Sequence, residues 1–247
     1  MMKKKWIWLG LLGILLLSVA GFLLWASFPL GPAPEALSAL ESDSTVEVFS
    51  MPDMVVFIPR QLQPQTGLIF YPGGRVDYRS YAPALKKVAE AGYLVALPKM
   101  PLSLAVFDPD RAEEIIAAYP QLKNWVIGGH SLGGAMAASY IHKNLDQGYG
   151  LTLWASYPAA SNDLASEEVA VLSVYGTRDM SVDELVENQA RLPDSTRWVV
   201  IEGGNHAQFG NYGPQPGDQT PQISIEQQQR ITVEATINFL KSFESVD

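Results

Sequence analysis

Three residues of this chain could do chemistry together: Ser131, Asp179 and His206. Ser131 lies in Gly128-Gly129-His130-Ser131-Leu132-Gly133-Gly134, after the apolar run Trp125-Val126-Ile127 and before the small-residue segment Ala135 to Ser139. That order reads strand, tight turn, helix. Gly129 to Gly133 has the form G-x-S-x-G, a strained turn that lifts the serine hydroxyl above a sheet. The glycines leave room where a Cβ would strike a neighbouring strand or helix. A helix that opens directly behind the serine aims its free N–H groups at the reacting centre. The implied chemistry is nucleophilic attack, for which a hydroxyl needs a base to take its proton.

There are only three histidines. His130 is inside the turn, where its neighbour Ser131 takes the exposed position. His142 falls eleven residues further on, about three helical turns from the serine. His206, in Glu202-Gly203-Gly204-Asn205-His206, is the one placed to act as base. Asp179, in Tyr175-Gly176-Thr177-Arg178-Asp179, would hold its tautomer and stabilise the imidazolium, with Asp183 in reserve. Both motifs follow apolar runs, and functional groups in a parallel α/β sheet collect at the carboxyl ends of the strands. An oxyanion hole needs two N–H donors. One is expected from Leu132, the residue after the serine. The other is expected from Gly73 or Gly74 in Tyr71-Pro72-Gly73-Gly74-Arg75, since Pro72 has no N–H. Arg75 is a candidate for binding a substrate carboxylate or phosphate, or else a solvated loop residue.

The elements that must position these groups alternate along the chain. Val46–Phe49 and Met54–Ile58 read as a hairpin of extended segments. Leu68–Tyr71, Tyr93–Leu97, Trp125–Ile127, Leu151–Trp154, Val171–Tyr175 and Trp198–Ile201 read as buried strands. Helical patterns cover Tyr81–Ala91, Asp110–Tyr119, the segment from the elbow to about Asn144, Val182–Arg191 and Ile223–Phe243. Apolar strands separated by helices predict an α/β fold, a mostly parallel sheet with helices on both faces. Between Ser156 and Val169 the chain is too short for a large cap, so an open site is expected. The turn-rich stretch Asn211 to Gln219 is expected to form a loop beside His206, with no chemistry assigned to it.

The N-terminus is different. Lys3-Lys4-Lys5 precedes an uncharged run from Trp6 to Phe28. As a helix this run is long enough for a hydrocarbon core of about 30 Å. Trp6, Trp8 and Trp25 lie near its two ends, and the preceding lysines predict a cytoplasmic N-terminus with the body outside. The reading is one N-terminal transmembrane signal anchor over residues 1–29, a linker over 30–44 beginning with Leu30-Gly31-Pro32-Ala33-Pro34, and a catalytic domain over 45–247. The alternative is a secreted protein released by cleavage after Ser18-Val19-Ala20, which would leave an apolar new terminus.

Composition narrows the classes. Lys and Arg number 17 against 26 Asp and Glu, and three of the basic residues sit at the extreme N-terminus, so the body is acidic and no nucleic acid is expected as a partner. Without cysteine there is no disulfide, thiolate metal site or cysteine nucleophile. Three dispersed histidines argue against a metal site, and no cofactor is expected. The Gly-rich turn lacks both the Lys-Ser/Thr ending of a P-loop and the G-x-G-x-x-G spacing.

On Phe70-Tyr71-Pro72-Gly73-Gly74, the elbow, Gly176-Thr177-Arg178-Asp179 and Gly203-Gly204-Asn205-His206-Ala207-Gln208-Phe209-Gly210, the chain resembles the α/β-hydrolase superfamily from about Val46 onward. It is most similar to the small lidless bacterial members near the dienelactone hydrolases. The order Ser131, Asp179, His206 is the superfamily's order. Two departures stand out. Dienelactone hydrolases proper carry cysteine where this chain has Ser131, which argues against dienelactone as substrate. Tyr71-Pro72 replaces the His-Gly opening of many lipase oxyanion loops. The resemblance implies a serine hydrolase of the carboxylesterase type acting on a small-molecule acyl ester. A thioesterase, a peptidase or amidase, an acyltransferase and a non-catalytic binding module on the same fold remain as alternatives.

Overall fold

The computed structural model describes residues 2–244. Met1 and Ser245 to Asp247, at the two ends of the expected anchor and domain, lie outside the described residues, as do the side chains of Lys3, Lys4 and Lys5. Eight strands form one sheet: β1 Val46–Ser50, β2 Met54–Pro59, β3 Thr66–Tyr71, β4 Leu94–Pro98, β5 Asn124–His130, β6 Gly150–Trp154, β7 Val171–Gly176 and β8 Arg197–Ile201. Their order across the sheet is β1-β2-β4-β3-β5-β6-β7-β8. The β1–β2 hairpin and the β2–β4 pair are antiparallel, and every other pair is parallel. This is the α/β hydrolase fold, with the expected strands in place.

Alternation along the strands builds two apolar layers, because successive side chains point to opposite faces. Leu68 and Phe70 of β3, Val95 and Leu97 of β4 and Val126 of β5 face one side. Ile69 and Tyr71, Leu94 and Ala96, and Trp125 and Ile127 face the other. Helices α3 Ala82–Glu90 and α7 Ile225–Leu240 cover the first face; α4 Arg111–Ala118 and α5 Leu132–Lys143 cover the second. A short helix, α6 Val182–Glu187, follows β7. Gly92, at φ +109°, ends α3 as its residue type predicts. A capping box starts α7: Ser224 Oγ accepts from Gln227 N at 3.2 Å, and Gln227 Oε1 accepts from Ser224 N at 3.1 Å. Between β6 and β7 only a three-residue turn of 3₁₀ helix, Ala160–Asn162, interrupts the loop, so no cap domain stands over the strand ends.

Helix α1, Met2–Ala26, stands out from the body, and Trp6–Ala26 within it is long and apolar enough to cross a membrane. The segment after it is more ordered than a plain spacer. Leu30 pairs with Val76 in a parallel bridge, and Pro34–Ser38 forms the short helix α2, with proline at its first position where no N–H is needed.

Candidate active site

Ser131 joins β5 to α5 at φ 52°, ψ −124°, a conformation that a non-glycine residue adopts only under strain. The neighbours hold it there. Ser131 N donates to Trp154 O at 3.0 Å, and its carbonyl accepts from Ser156 Oγ at 2.7 Å. A Cβ on Gly129 would lie 2.6 Å from Tyr71 O, and one on Gly133 would collide with the carbonyls of Tyr71 and Pro72. The turn is therefore tight enough to need glycine on both sides, which is the physical content of the sequence pattern.

The loop after β7 brings Asp179 under His206. His206 Nδ1 lies 2.9 and 3.0 Å from the two carboxylate oxygens. Asp179 is 0% exposed, and its Oδ1 also accepts from Ser181 N and Ser181 Oγ at 2.9 and 2.7 Å. Such a carboxylate, bonded at both oxygens, has one orientation. It fixes Nδ1 as the nitrogen whose N–H faces the carboxylate. His206 is 2% exposed, and its Nε2 is buried without a hydrogen-bond partner. Asp183, the reserve acid, is exposed on α6 and is not the group bonded to the histidine.

Ser131 and His206 line one cleft of about 370 Å³. Its walls are mostly apolar: Leu132, Ala135, Ala155, Ala159 and Met180, with Ser156, Tyr157 and Ser181 between them. Leu132 is the first residue of α5, where a backbone N–H has no partner within the helix. Of the two loop glycines, Gly73 is already engaged, since its N–H donates to Tyr81 Oη at 3.0 Å. Gly74 N has no acceptor among the described residues, and the glycine lies against Leu132: a Cβ there would be 3.0 Å from Leu132 Cδ2. Gly74 is thus the better candidate of the pair.

Arg75, the candidate for binding a substrate anion, is placed elsewhere. Arg75 does not line the cleft. Its guanidinium lies 4.1 Å from the centre of the Trp25 ring and donates to Phe28 O at 2.9 Å, so it faces the end of α1.

Several supporting contacts carry no sequence signal of their own. His130 is 1% exposed, shares a 2.8 Å hydrogen bond with Tyr81 Oη and packs against the His206 ring. Burial, and then the nearby charge that His206 can carry, push its pKa well below the usual histidine value. Gln228 of α7, fully buried, accepts from Asn205 N at 2.9 Å and donates to Asn205 O at 2.7 Å. Asp218 accepts from His206 N, Ala207 N and Met180 N at 3.2, 2.8 and 3.2 Å. It therefore ties the histidine loop to the aspartate loop, which gives the turn-rich 211–219 stretch a role. The nearest sequence signal was its position directly after the histidine motif.

No curated protein sequence matches the chain. Solved structures do. A dienelactone hydrolase from Anabaena variabilis superposes with a TM-score of 0.58 at 16% identity, over 79% of this chain and 99% of that one. An esterase/lipase from an uncultured bacterium gives 0.58 at 12% identity, over 84% and 88%. At such identities the likeness is one of fold. The family model described as "Alpha/beta hydrolase family" matches residues 67–230, from β3 with its glycine loop through the elbow, the aspartate turn and the histidine loop into α7, and on that match this chain belongs to the alpha/beta hydrolase family.

Proposed function

We propose that this chain is a serine hydrolase that cleaves a carboxylic ester through an acyl-enzyme. In this reading residues 1–29 anchor it in a membrane, residues 30–44 link the anchor to the body, and the domain 45–247 acts on the extracytoplasmic side. The observation that carries the catalytic reading is the state of His206. Its Nδ1 is held by a buried carboxylate, while its Nε2 is buried without a partner in the cleft that Ser131 also lines.

The steps follow from that arrangement. Ser131 Oγ attacks the ester carbonyl carbon as His206 Nε2 takes its proton. The carbonyl oxygen, now negative, accepts from the N–H groups of Leu132 and Gly74. Collapse of the tetrahedral species breaks the bond to the alcohol oxygen, which receives the proton from Nε2. Water then attacks the acyl-Ser131 ester with His206 again as base, and the acid leaves. Asp179 stays ionised throughout and steadies the imidazolium.

Apolar walls around the serine suit an acyl chain, which favours an ester over a charged peptide substrate. Thioesters, amides and acyl transfer would use the same groups. The test is hydrolysis of short-chain nitrophenyl esters by the full chain in mild detergent beside Ser131→Ala. Loss of the rate in the variant supports the proposal. Equal rates would favour a binding module on this fold.

A further inference from the structure

The uncharged segment Pro101-Leu102-Ser103-Leu104-Ala105-Val106-Phe107, between Lys99 and Asp108, lies between the end of α1 and the candidate oxyanion loop. Phe22 of α1 meets Phe107 edge-on, with ring centres 6.2 Å apart. Phe22 is four residues inside the end of the helix, about 6 Å along its axis. On the reading that Trp6–Ala26 crosses a bilayer, Phe107 therefore stands at the depth of the apolar span. Arg75 on Trp25 fixes the same geometry one turn nearer the helix end, with its charged head against an aromatic ring of the type that favours the interface. The backbone supports the presentation: Leu102 and Ser103 both sit at positive φ, and Arg75 N donates to Ser103 O at 2.8 Å. Val106 is 46% exposed and Phe107 50%, although neither is polar.

This apolar surface continues to the nucleophile. Leu104 packs on Gly74, where a Cβ would be 3.6 Å from Leu104 Cδ2, and Gly74 packs on Leu132, a wall of the Ser131 cleft. From these contacts we infer that the 101–107 segment seats in the surface of the bilayer and that the substrate is a lipid acyl ester, taken from the membrane along Phe107, Leu104 and Leu132 to Ser131. The inference rests on the serine-hydrolase and anchoring readings above. It adds the source and class of the ester. The occupant of the patch is the lipid surface because the patch is continuous with a helix whose own side chains are exposed from Trp6 to Trp25.

The test uses the full chain in phosphatidylcholine vesicles. Two rates are compared, for a long-chain acyl ester embedded in the vesicles and for a short-chain water-soluble ester. Val106→Asp and Phe107→Asp, both at exposed positions, are expected to lower the first rate at least tenfold and to leave the second within twofold. Unequal loss in that sense supports the inference; equal rates on the embedded ester, or equal loss on both, overturn it. A second readout does not depend on catalysis. The chain has no cysteine, so Phe107→Cys carries a single nitroxide label. Protection from a water-soluble relaxant with access to oxygen is expected, and a water-exposed label overturns the inference. Spin coupling between labels of two copies would assign the patch to a second chain and also overturn it. If the parent chain hydrolyses neither ester, or does so equally well as Ser131→Ala, the underlying hydrolase reading fails and the substrate class with it, while the label depth still reports the docking by itself.

Discussion

The imidazole rings of His130 and His206 lie with their centres 4.4 Å apart, at 48° to one another. A charged His130 would oppose the imidazolium that the proposed mechanism forms on His206. Burial keeps it neutral. The unfolded chain binds a proton at such a site near pH 6.5, and the folded chain does so only at lower pH. Stability from this site is therefore full above about pH 6.5 and falls as acid is added, with a slope approaching about 1.4 kcal/mol per pH unit until the folded-state pKa is reached. His130→Gln should be less stable at neutral pH but flatter between about pH 7 and 5. Urea unfolding across that window measures it; parallel curves for the two proteins would contradict the assignment.

Tyr81 connects the same histidine to the glycine loop. Its hydroxyl accepts from Gly73 N and bonds His130 Nδ1. Tyr81→Phe leaves both partners buried without it, and each unsatisfied group costs about 1–3 kcal/mol. The variant should melt earlier and lose kcat more than it gains in KM, because the loop carrying Gly74 loosens. A melting temperature and kcat equal to the parent's would refute this.

Asp218 is exposed to a test of another kind. Four backbone N–H groups, from Met180, His206, Ala207 and the adjacent Gln219, converge on its carboxylate. Asp218→Ala should leave the sheet intact, speed amide exchange at 205–207 and 180, and lower kcat by roughly tenfold or more through misplacement of His206. Asp218→Asn, which keeps one acceptor oxygen, should recover part of the loss. Unchanged exchange in both variants would remove the tie from the account.

Arg75→Ala separates docking from chemistry. The cation–π contact with Trp25 and the bond to Phe28 O are lost, a change of about 0.5–2 kcal/mol. The Leu30 amide, which donates to Arg75 O, should exchange faster as the junction loosens. KM for a short soluble ester should stay within about twofold, as for a surface change away from the cleft. A large rise in KM would return Arg75 to the substrate.

Much of this arrangement was legible in the residues. Strand periodicity and the glycine signature located β5, the elbow and α5, because a strained turn admits few residue types. Asp179 and His206 followed from their places after apolar runs, since loops at strand ends are where a parallel sheet displays functional groups. Tertiary contacts were not legible. Nothing local says that Tyr81 reaches Gly73, that Gln228 clamps Asn205, or that Asp218 bridges two loops, because each pairing depends on how distant segments pack. Arg75 was ambiguous for the same reason: its neighbours in sequence are loop residues, but its partners are Trp25 and Phe28.

The central claim is that Ser131 is a nucleophile activated by His206. Treatment of the folded full chain with a fluorophosphonate, followed by peptide mass analysis, tests it most directly. The account predicts one adduct, on the peptide containing Ser131, formed rapidly in the parent and at least a hundredfold more slowly in His206→Ala, since the hydroxyl then has no base. No adduct on Ser131 in the folded protein, or equal labelling without His206, would contradict it.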